Sequence, residues 1–148
     1  NWGSVPMTHK EFMYAAEEMK SFVNPEYCMI AEVKGEPVGF SLALPDFNEI
    51  LIRLDGKLFP FGWAKFLWGK NKIDSYRVLT LGLKKRFRRL GIDAYMYYDT
   101  YKNFIRDGVK WCEMSWILED NTDMMEPMFK IGGNIYKRHR IYERPISP

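Results

Sequence analysis

The alternation of apolar and polar residues predicts an amphipathic helix at the start of the chain. Apolar side chains recur at helical spacing from Phe12 to Val23, and Asn24-Pro25 ends the pattern. Thr8 and Glu11 stand three residues apart just before this run, which is the spacing of a capping box. The first predicted element is therefore a helix that begins near Thr8.

Two apolar runs at residues 27–33 and 38–44 predict a pair of strands. They are joined by Lys34-Gly35-Glu36-Pro37, a composition typical of a hairpin turn, so we expect them to pair antiparallel. Both runs are apolar on successive residues. A sheet with this pattern is usually covered on both faces, and we expect that here.

Residues 45–74 lose this periodicity and become rich in glycine and aromatic side chains. So many large apolar groups do not stay in water, so the pattern favours an ordered insertion with one or two short helices. Two interpretations of its aromatic residues remain open, a pocket lining and a lid that packs on the core. The residues concerned are Phe59, Phe61, Trp63, Phe66 and Trp68.

The second half of the chain alternates strands and helices. We expect a strand at 76–83, a helix from about Gly91 to Asp107-Gly108, a strand at 109–118, a short helix after Asn121, and one or two terminal strands at 135–142. Pro127 is expected to delay or kink the short helix. The long helix is expected to bury one face, made of Ala94, Tyr97, Tyr98, Tyr101 and Ile105.

Composition narrows the possible classes of protein. With 148 residues, 47% hydrophobic, we expect a single domain over residues 1–148. A charged fraction of 28% and a net charge of +3 exclude disorder and a chain-wide nucleic-acid surface. No apolar run is long enough to cross a bilayer, so we expect a soluble domain without a membrane partner.

The two cysteines, Cys28 and Cys112, lie far apart without metal-ligand spacing, and only two histidines accompany them. This argues against a zinc site or a disulfide scaffold, and it fits reduced thiols in a cytoplasm. We therefore expect no metal. The opening Asn1-Trp2-Gly3 leads us to expect a piece of a longer polypeptide, and a homo-oligomer is also considered.

The candidate chemistry lies in the basic turn, residues 84–91, between the strand at 76–83 and the long helix. Five of the six residues 84–89 are Lys or Arg, and a helix starts directly after them. A helix start offers unpaired N–H groups and a positive dipole end, so the turn suits a phosphate. The alternative is an ordinary solvated loop.

Arg88-Arg89-Leu90-Gly91-Ile92-Asp93 resembles the signature of the GNAT acyltransferase superfamily. Arg88 and Gly91 match the pattern, whereas Asp93 stands where Gly or Ala is usual and Arg89 where a further Gly is common. Residues 116–121 and the glycine pair 132–133 resemble the second half of a GNAT domain. The segments 45–48, 58–62, 91–94 and 136–138 are similar to a bacterial branch of GNAT-like proteins.

The resemblance implies a mixed α/β (α+β) fold with a twisted, mostly antiparallel central sheet flanked by helices, from which the first strand and helix are expected to be lacking. It also implies acetyl-CoA or another acyl-CoA as co-substrate. Its pyrophosphate would lie on the backbone of Arg88, Arg89, Leu90, Gly91, Ile92 and Asp93, with Lys84, Lys85, Arg86 and Arg89 as neutralising cations. Leu81 and Leu83 would pair with the pantetheine.

Two further expectations concern polar side chains, those of Asp93 and Asn121. Asp93 is expected to cap the long helix. Asn121 is expected either to cap the short helix or to contact the pantetheine, and the two roles are compatible.

The resemblance further implies direct attack by an amine on the thioester. A carboxylate would take the amine's proton, and the candidates are Asp46, placed first, Glu113 and Glu32. Met128 stands where the family's proton-donating Tyr is usual. Tyr136 or Ser115 is a substitute donor, or the thiolate leaves unaided. The alternative for each carboxylate is a solvated or ion-paired surface group.

Two hypotheses for the function follow. The first is an acyl-CoA-dependent N-acyltransferase with an unidentified amine acceptor. The second is a GNAT-shaped domain that has lost catalysis and serves as a binding or structural half of a larger protein. Nucleic-acid binding is disfavoured because the basic turn lacks interleaved exposed aromatic residues.

Overall fold

The computed structural model describes residues 5–55, 57, 59–69, 72–114 and 116–144. The chain divides into two compact units, Asn1–Trp116 and Ile117–Pro148, and each is described by itself. The single domain over residues 1–148 and the lack of a first strand and helix stay predictions.

The first unit is built on a four-stranded sheet with the order β1-β2-β3-β4. Its strands are β1 (Cys28–Val33), β2 (Glu36–Pro45), β3 (Ser75–Leu83) and β4 (Trp111–Met114). The pairs β1–β2 and β2–β3 are antiparallel, and β3–β4 is parallel. This confirms the mixed α/β class with a mostly antiparallel sheet.

The predicted hairpin is confirmed, with a turn of two residues. Lys34 and Gly35 have φ of 52° and 79°, so both adopt the left-handed conformation that a type I′ turn requires. The second strand therefore starts at Glu36, earlier than the apolar pattern indicated.

Five α-helices accompany the sheet in the described ranges: α1 (His9–Met19), α2 (Asn48–Leu54), α3 (Gly62–Gly69), α4 (Ile92–Arg106) and α5 (Thr122–Lys130). The first four belong to the first unit, and α5 to the second. The capping box is confirmed, since Thr8 Oγ1 accepts from Glu11 N at 3.3 Å and Glu11 Oε2 accepts from Thr8 N at 2.8 Å. The insertion does contain two short helices.

The core of the first unit is an aromatic cluster between the sheet and α4. Tyr27, Ala43, Val78 and Phe104 are buried together, and Tyr76 packs against them. The ring of Tyr27 lies 4.6 Å from that of Tyr76 and 5.0 Å from that of Phe104.

One polar contact joins this cluster to the end of α4. The Tyr27 hydroxyl donates to Asp107 Oδ2 at 2.6 Å, and Arg106 Nε donates to Asp107 Oδ1 at 2.7 Å. The bond from Arg106 and then the bond from Tyr27 lower the pKa of Asp107 to about 2.

Two expectations about the structure are wrong, and a third holds for only part of the sheet. The buried face of α4 is Met96, Thr100 and Phe104, whereas Tyr98, Tyr101 and Ile105 are exposed. The prediction counted tyrosines as apolar residues, but the hydroxyl group allows a tyrosine to remain exposed to water. The sheet is covered on both faces along β2, where Ser41, Leu42 and Ala43 are buried in succession, but not at the edge strand β1, where Ile30 is 62% exposed.

The other wrong expectation concerns the chain's end. Residues 133–144 form no strand, because their alternation comes from charged and aromatic side chains that bury little. Instead, Arg138 and Arg140 both donate to Glu119.

We predict that Tyr27→Phe lowers the free energy of unfolding by about 1–2 kcal/mol, because it removes one hydrogen bond to a carboxylate from a buried site. Urea unfolding measures this loss. Tyr76→Phe is the matched control, since the Tyr76 hydroxyl has no hydrogen-bond partner in the part of the chain that the structure describes.

The loss should depend on pH. The pKa of Asp107 is depressed from 3.8 to about 2, so its stabilisation is present above pH 3.8 and is lost as the pH falls towards 2. The difference between wild type and Tyr27→Phe should shrink over that interval. A difference that grows on acidification would contradict this assignment.

Candidate functional site

The basic turn contains a short 3₁₀ turn and two left-handed residues. After β3, Lys85–Phe87 forms the 3₁₀ turn, and Arg89 and Gly91 then have φ of 62° and 80°. Gly91 is the N-cap of α4. The prediction that Asp93 caps this helix is therefore wrong, because Asp93 already lies in the first turn.

The start of α4 presents unpaired donors. The N–H groups of Ile92, Asp93 and Ala94 donate to no group among the described residues, and the first bond of the helix runs from Tyr95 N to Gly91 O at 3.0 Å. No side chain caps this end. Because α4 has 15 residues, its dipole adds positive potential at the same place.

The cations of the basic turn are not equally available. Lys84 Nζ donates to Glu36 Oε1 at 2.9 Å, and Arg86 donates to the same oxygen. Both bonds lower the pKa of the Glu36 carboxyl, and the bond from Lys84 has the larger effect. Two of the cations expected to neutralise phosphates are therefore already paired with a carboxylate of β2.

The edge of β3 that faces away from β2 is open next to the turn. Pairing between β3 and β4 ends at Val78 and Met114, so residues 79–83 have no strand beside them on that edge within the described ranges. A register shift leaves Leu79 as an extra residue where the opening begins. An open edge of this kind can pair with an extended ligand.

The backbone groups of Leu81 and Leu83 point towards that opening. Lys84 N donates to Val38 O of β2 at 2.9 Å, and backbone direction alternates along a strand. Leu81 and Leu83 therefore face away from β2. In agreement with this, Leu83 O accepts a hydrogen bond from Arg88 Nε at 3.4 Å.

Asp46 lies at the far end of β3 from the basic turn. Its N–H donates to Ser75 O, at the start of β3, at 2.9 Å. Its Oδ1 accepts from Asn48 N at 3.2 Å and from Asn48 Nδ2 at 2.8 Å. From Ser75 to Leu83 the strand covers roughly 27 Å at 3.4 Å per residue. This carboxylate thus holds the start of α2.

Glu113 lies close to the point where β3 and β4 diverge. Its Oε2 accepts from Arg77 Nη2 at 2.7 Å, and its side chain is only 10% exposed. Arg77 Nε is buried and has no hydrogen-bond partner within the described part of the chain. The pair that follows Arg77 and Glu113, Val78 with Met114, is the last one between β3 and β4.

Arg77 is a site residue that the sequence reasoning missed. The sequence did contain a signal for it, because Arg77 and Glu113 carry opposite charges on two strands that were expected to be neighbours.

Tyr97 was expected only to pack against the core. Burial, and after it the charge of Asp93, raise the pKa of its hydroxyl to about 12.

Asn121 and Tyr136 belong to the second unit. Asn121 is the N-cap residue of α5, as expected, although its side chain makes no capping hydrogen bond. Tyr136 is exposed, and Lys137 Nζ lies 5.6 Å from the centre of its ring. Met128 is buried, and Ser115 lies outside the described residues.

Two further observations bear on candidate sites. No group of three or more His, Cys, Asp or Glu residues in the described ranges could hold a metal ion. Within the same ranges, every helix is too short or too polar to cross a bilayer.

No protein-family model matches the chain. Two curated proteins do match. The chain is 39% identical over 152 residues to protein YghO of Escherichia coli (strain K12), covering 99% of this chain and 39% of that protein. It is 35% identical over 152 residues to the bacterial ceramide synthase of Caulobacter vibrioides (strain NA1000 / CB15N), covering 99% of this chain and 40% of that protein. The chain thus spans about two fifths of the length of these relatives.

Two solved structures of AAC(6')-Iy share the fold at 14% identity. One is in complex with the bisubstrate analogue CoA-S-monomethyl-acetylneamine, has a TM-score of 0.63 and covers 98% of this chain and 84% of that chain. The other, described as an aminoglycoside N-acetyltransferase in complex with CoA, has a TM-score of 0.56 and covers 93% and 88%. The chain therefore has the GNAT acetyltransferase fold that its sequence resembles.

We predict that Gly91→Ala lowers the free energy of unfolding by about 1 kcal/mol, because a Cβ is strained at positive φ. Gly35→Ala is the matched control, since its φ of 79° is nearly the same and an added Cβ would also meet nothing within 4 Å. Thermal unfolding should show similar losses for both variants. A much larger loss for Gly91→Ala would mean that an atom beyond the described residues fills this space.

Proposed function

We propose that this chain carries the acyl-CoA site of an N-acyltransferase. The observation that supports this most strongly is the combination of the unpaired N–H groups at the start of α4 with the open edge of β3. Both features occur in a fold shared with N-acetyltransferases whose structures contain CoA or a CoA analogue.

The diphosphate of CoA would lie against the N–H groups of Ile92, Asp93 and Ala94. Gly91 has no side chain to obstruct this approach, and an added Cβ there would point into empty space. Arg88 is exposed beside the same backbone, so it is available for a phosphate. The pantetheine would pair with Leu81 and Leu83 along the open edge.

The reaction is acyl transfer from sulfur to nitrogen. The neutral amine attacks the thioester carbonyl carbon, a C–N bond forms, and the C–S bond breaks. The proton leaves nitrogen for a carboxylate, and the thiolate of CoA departs as an anion that solvent protonates.

We rank Glu113 above Asp46 as the proton acceptor. Glu113 is one residue from the point where β3 and β4 diverge, whereas Asp46 is held at the opposite end of β3 by Asn48. Arg77 then acts as a positioning residue, because its hydrogen bond orients the Glu113 carboxylate.

For the acceptor, we propose a long-chain amine. The C. vibrioides relative is named a ceramide synthase, and a ceramide is a long-chain amino alcohol acylated on nitrogen. The two free cysteines, Cys28 and Cys112, suit a reducing compartment, so we place the reaction in the cytoplasm.

We predict that acetyl-CoA or a longer acyl-CoA binds in isothermal titration and competes with CoA. The double variant Arg88→Glu with Arg89→Glu should abolish binding, because it places two anions beside the diphosphate. Lys10→Glu with Lys20→Glu changes the net charge equally, at exposed positions in α1 and directly after it, and should bind like wild type.

The absence of detectable CoA binding to folded protein would overturn both the site and the activity. Binding of CoA without any acyl transfer would instead support the degenerate GNAT-shaped domain.

We predict that Glu113→Gln lowers kcat by about 100-fold or more, because a positioned base contributes at least that factor, while the Kd for CoA stays unchanged. Acylation of a long-chain amino alcohol at saturating acyl-CoA measures kcat. Asp46→Asn is the matched control and should keep kcat close to wild type. The reverse outcome, with activity lost only in Asp46→Asn, would assign the base to Asp46.

A further inference from the structure

We propose that the α2–α3 hairpin, defined as residues 48–69 within the described ranges, is a docking surface for a membrane that contains anionic lipids. This inference rests on the surface of the hairpin alone and does not require the acyltransferase activity.

The inner side of the hairpin is already packed. Ile50 and Leu54 are 6% and 7% exposed, and a Cβ on Gly69 would lie 3.3 Å from the Ile50 side chain. The ring of Phe66 stacks on Phe47 with centroids 5.8 Å apart. The remaining apolar residues are therefore not needed to fill the core.

The outer side is unusually apolar for a surface in water. Ile52, Phe59 and Trp68 are 79%, 88% and 87% exposed. The other exposed members are Leu51, Phe61, Trp63 and Leu67. Seven large apolar side chains are thus exposed within 22 residues, and such a concentration of exposed apolar surface is typical of an interaction surface.

The indole N–H of Trp63 already has a hydrogen-bond acceptor within the protein. Its Nε1–H donates to Pro60 O within the hairpin at 2.9 Å. The ring can therefore enter a lipid interface without leaving an unpaired donor there. Tryptophan is enriched at the interface between membrane and water for its amphipathic ring.

The same hairpin also carries cationic side chains. Residues 48–69 contain three Lys or Arg and two carboxylates, an excess of one positive charge. Arg53, Lys57 and Lys65 form no ion pair with any residue that the structure describes. Unlike Lys84 and Arg86, they remain available for an external anion.

These cations and the aromatic side chains meet in one cavity of about 230 Å³. Arg53, Lys57 and Lys65 line it together with Phe59 and Phe61. Cationic groups beside exposed apolar groups match a lipid, whose phosphate headgroup adjoins its hydrocarbon chain.

The charge favours a membrane over a second copy of this chain. Two copies joined through this face would bring two positive surfaces together, which is unfavourable. An anionic membrane neutralises the cations and buries the apolar side chains. The expectation that the chain has no membrane partner considered only helices that span a bilayer, and interfacial docking needs none.

The test is flotation of the full protein with vesicles of phosphatidylglycerol and phosphatidylcholine. We expect binding that weakens from about 0.1 M to about 1 M salt, where the Debye length falls from about 10 Å to about 3 Å. Binding to phosphatidylcholine alone should be much weaker. Lys57→Glu with Lys65→Glu should weaken anionic-vesicle binding about tenfold or more.

Phe59→Ser with Trp68→Ser should weaken vesicle binding by a similar factor, because these side chains supply the apolar contact. Three control variants should bind like wild type: Trp68→Phe, Tyr142→Ser at an equally exposed aromatic, and the Lys10→Glu, Lys20→Glu pair. Circular dichroism verifies the fold of each variant.

Brominated lipids give a second measurement. It does not use the serine variants, so it holds even if those variants fail to fold. The brominated lipids should quench the tryptophan fluorescence of the wild type, and less so that of Trp63→Phe with Trp68→Phe. Absent binding by folded wild type would overturn the proposal. The proposal would also be overturned if the wild type were a dimer and a hairpin variant were a monomer that still binds vesicles as the wild type does.

Discussion

The constraint on which the structure of the first unit depends is the unequal pairing of β3. This strand has nine residues and is paired with β2 from Tyr76 to Leu83, but with β4 over only four residues. Its first half completes the sheet above the aromatic core. Its second half keeps one edge of backbone groups open and leads directly into the basic turn. One strand thus both stabilises the fold and forms the candidate cofactor site.

Positive charge has a different role in each of two places. In the basic turn, Glu36 pairs with Lys84 and Arg86, so the anion site depends more on backbone N–H groups than on side-chain charge. In the α2–α3 hairpin, the cations adjoin exposed aromatic residues. Only the second arrangement suits a surface partner, since its charges are unpaired within the described residues.

Local patterns predicted the elements better than their packing. The capping box at Thr8, the turn at Lys34-Gly35 and the strand, basic turn and helix order were all predictable, because each depends on residues close in sequence. The buried face of α4 was not, because Tyr98 and Met96 are both compatible with a core. Contact with β1 and with Tyr27 decided in favour of Met96, Thr100 and Phe104.

By itself, the sequence determined the mixed α/β class, the resemblance to the GNAT fold and the position of a helix start beside a basic turn. Only the tertiary structure decided which charges are free. Glu36 is 48 residues from Lys84, and Arg77 is 36 residues from Glu113, so their pairing requires the assembled sheet. The same holds for the aromatic insertion. Its composition suggested a pocket or a core, but whether a large side chain is buried depends on whether other elements leave room for it.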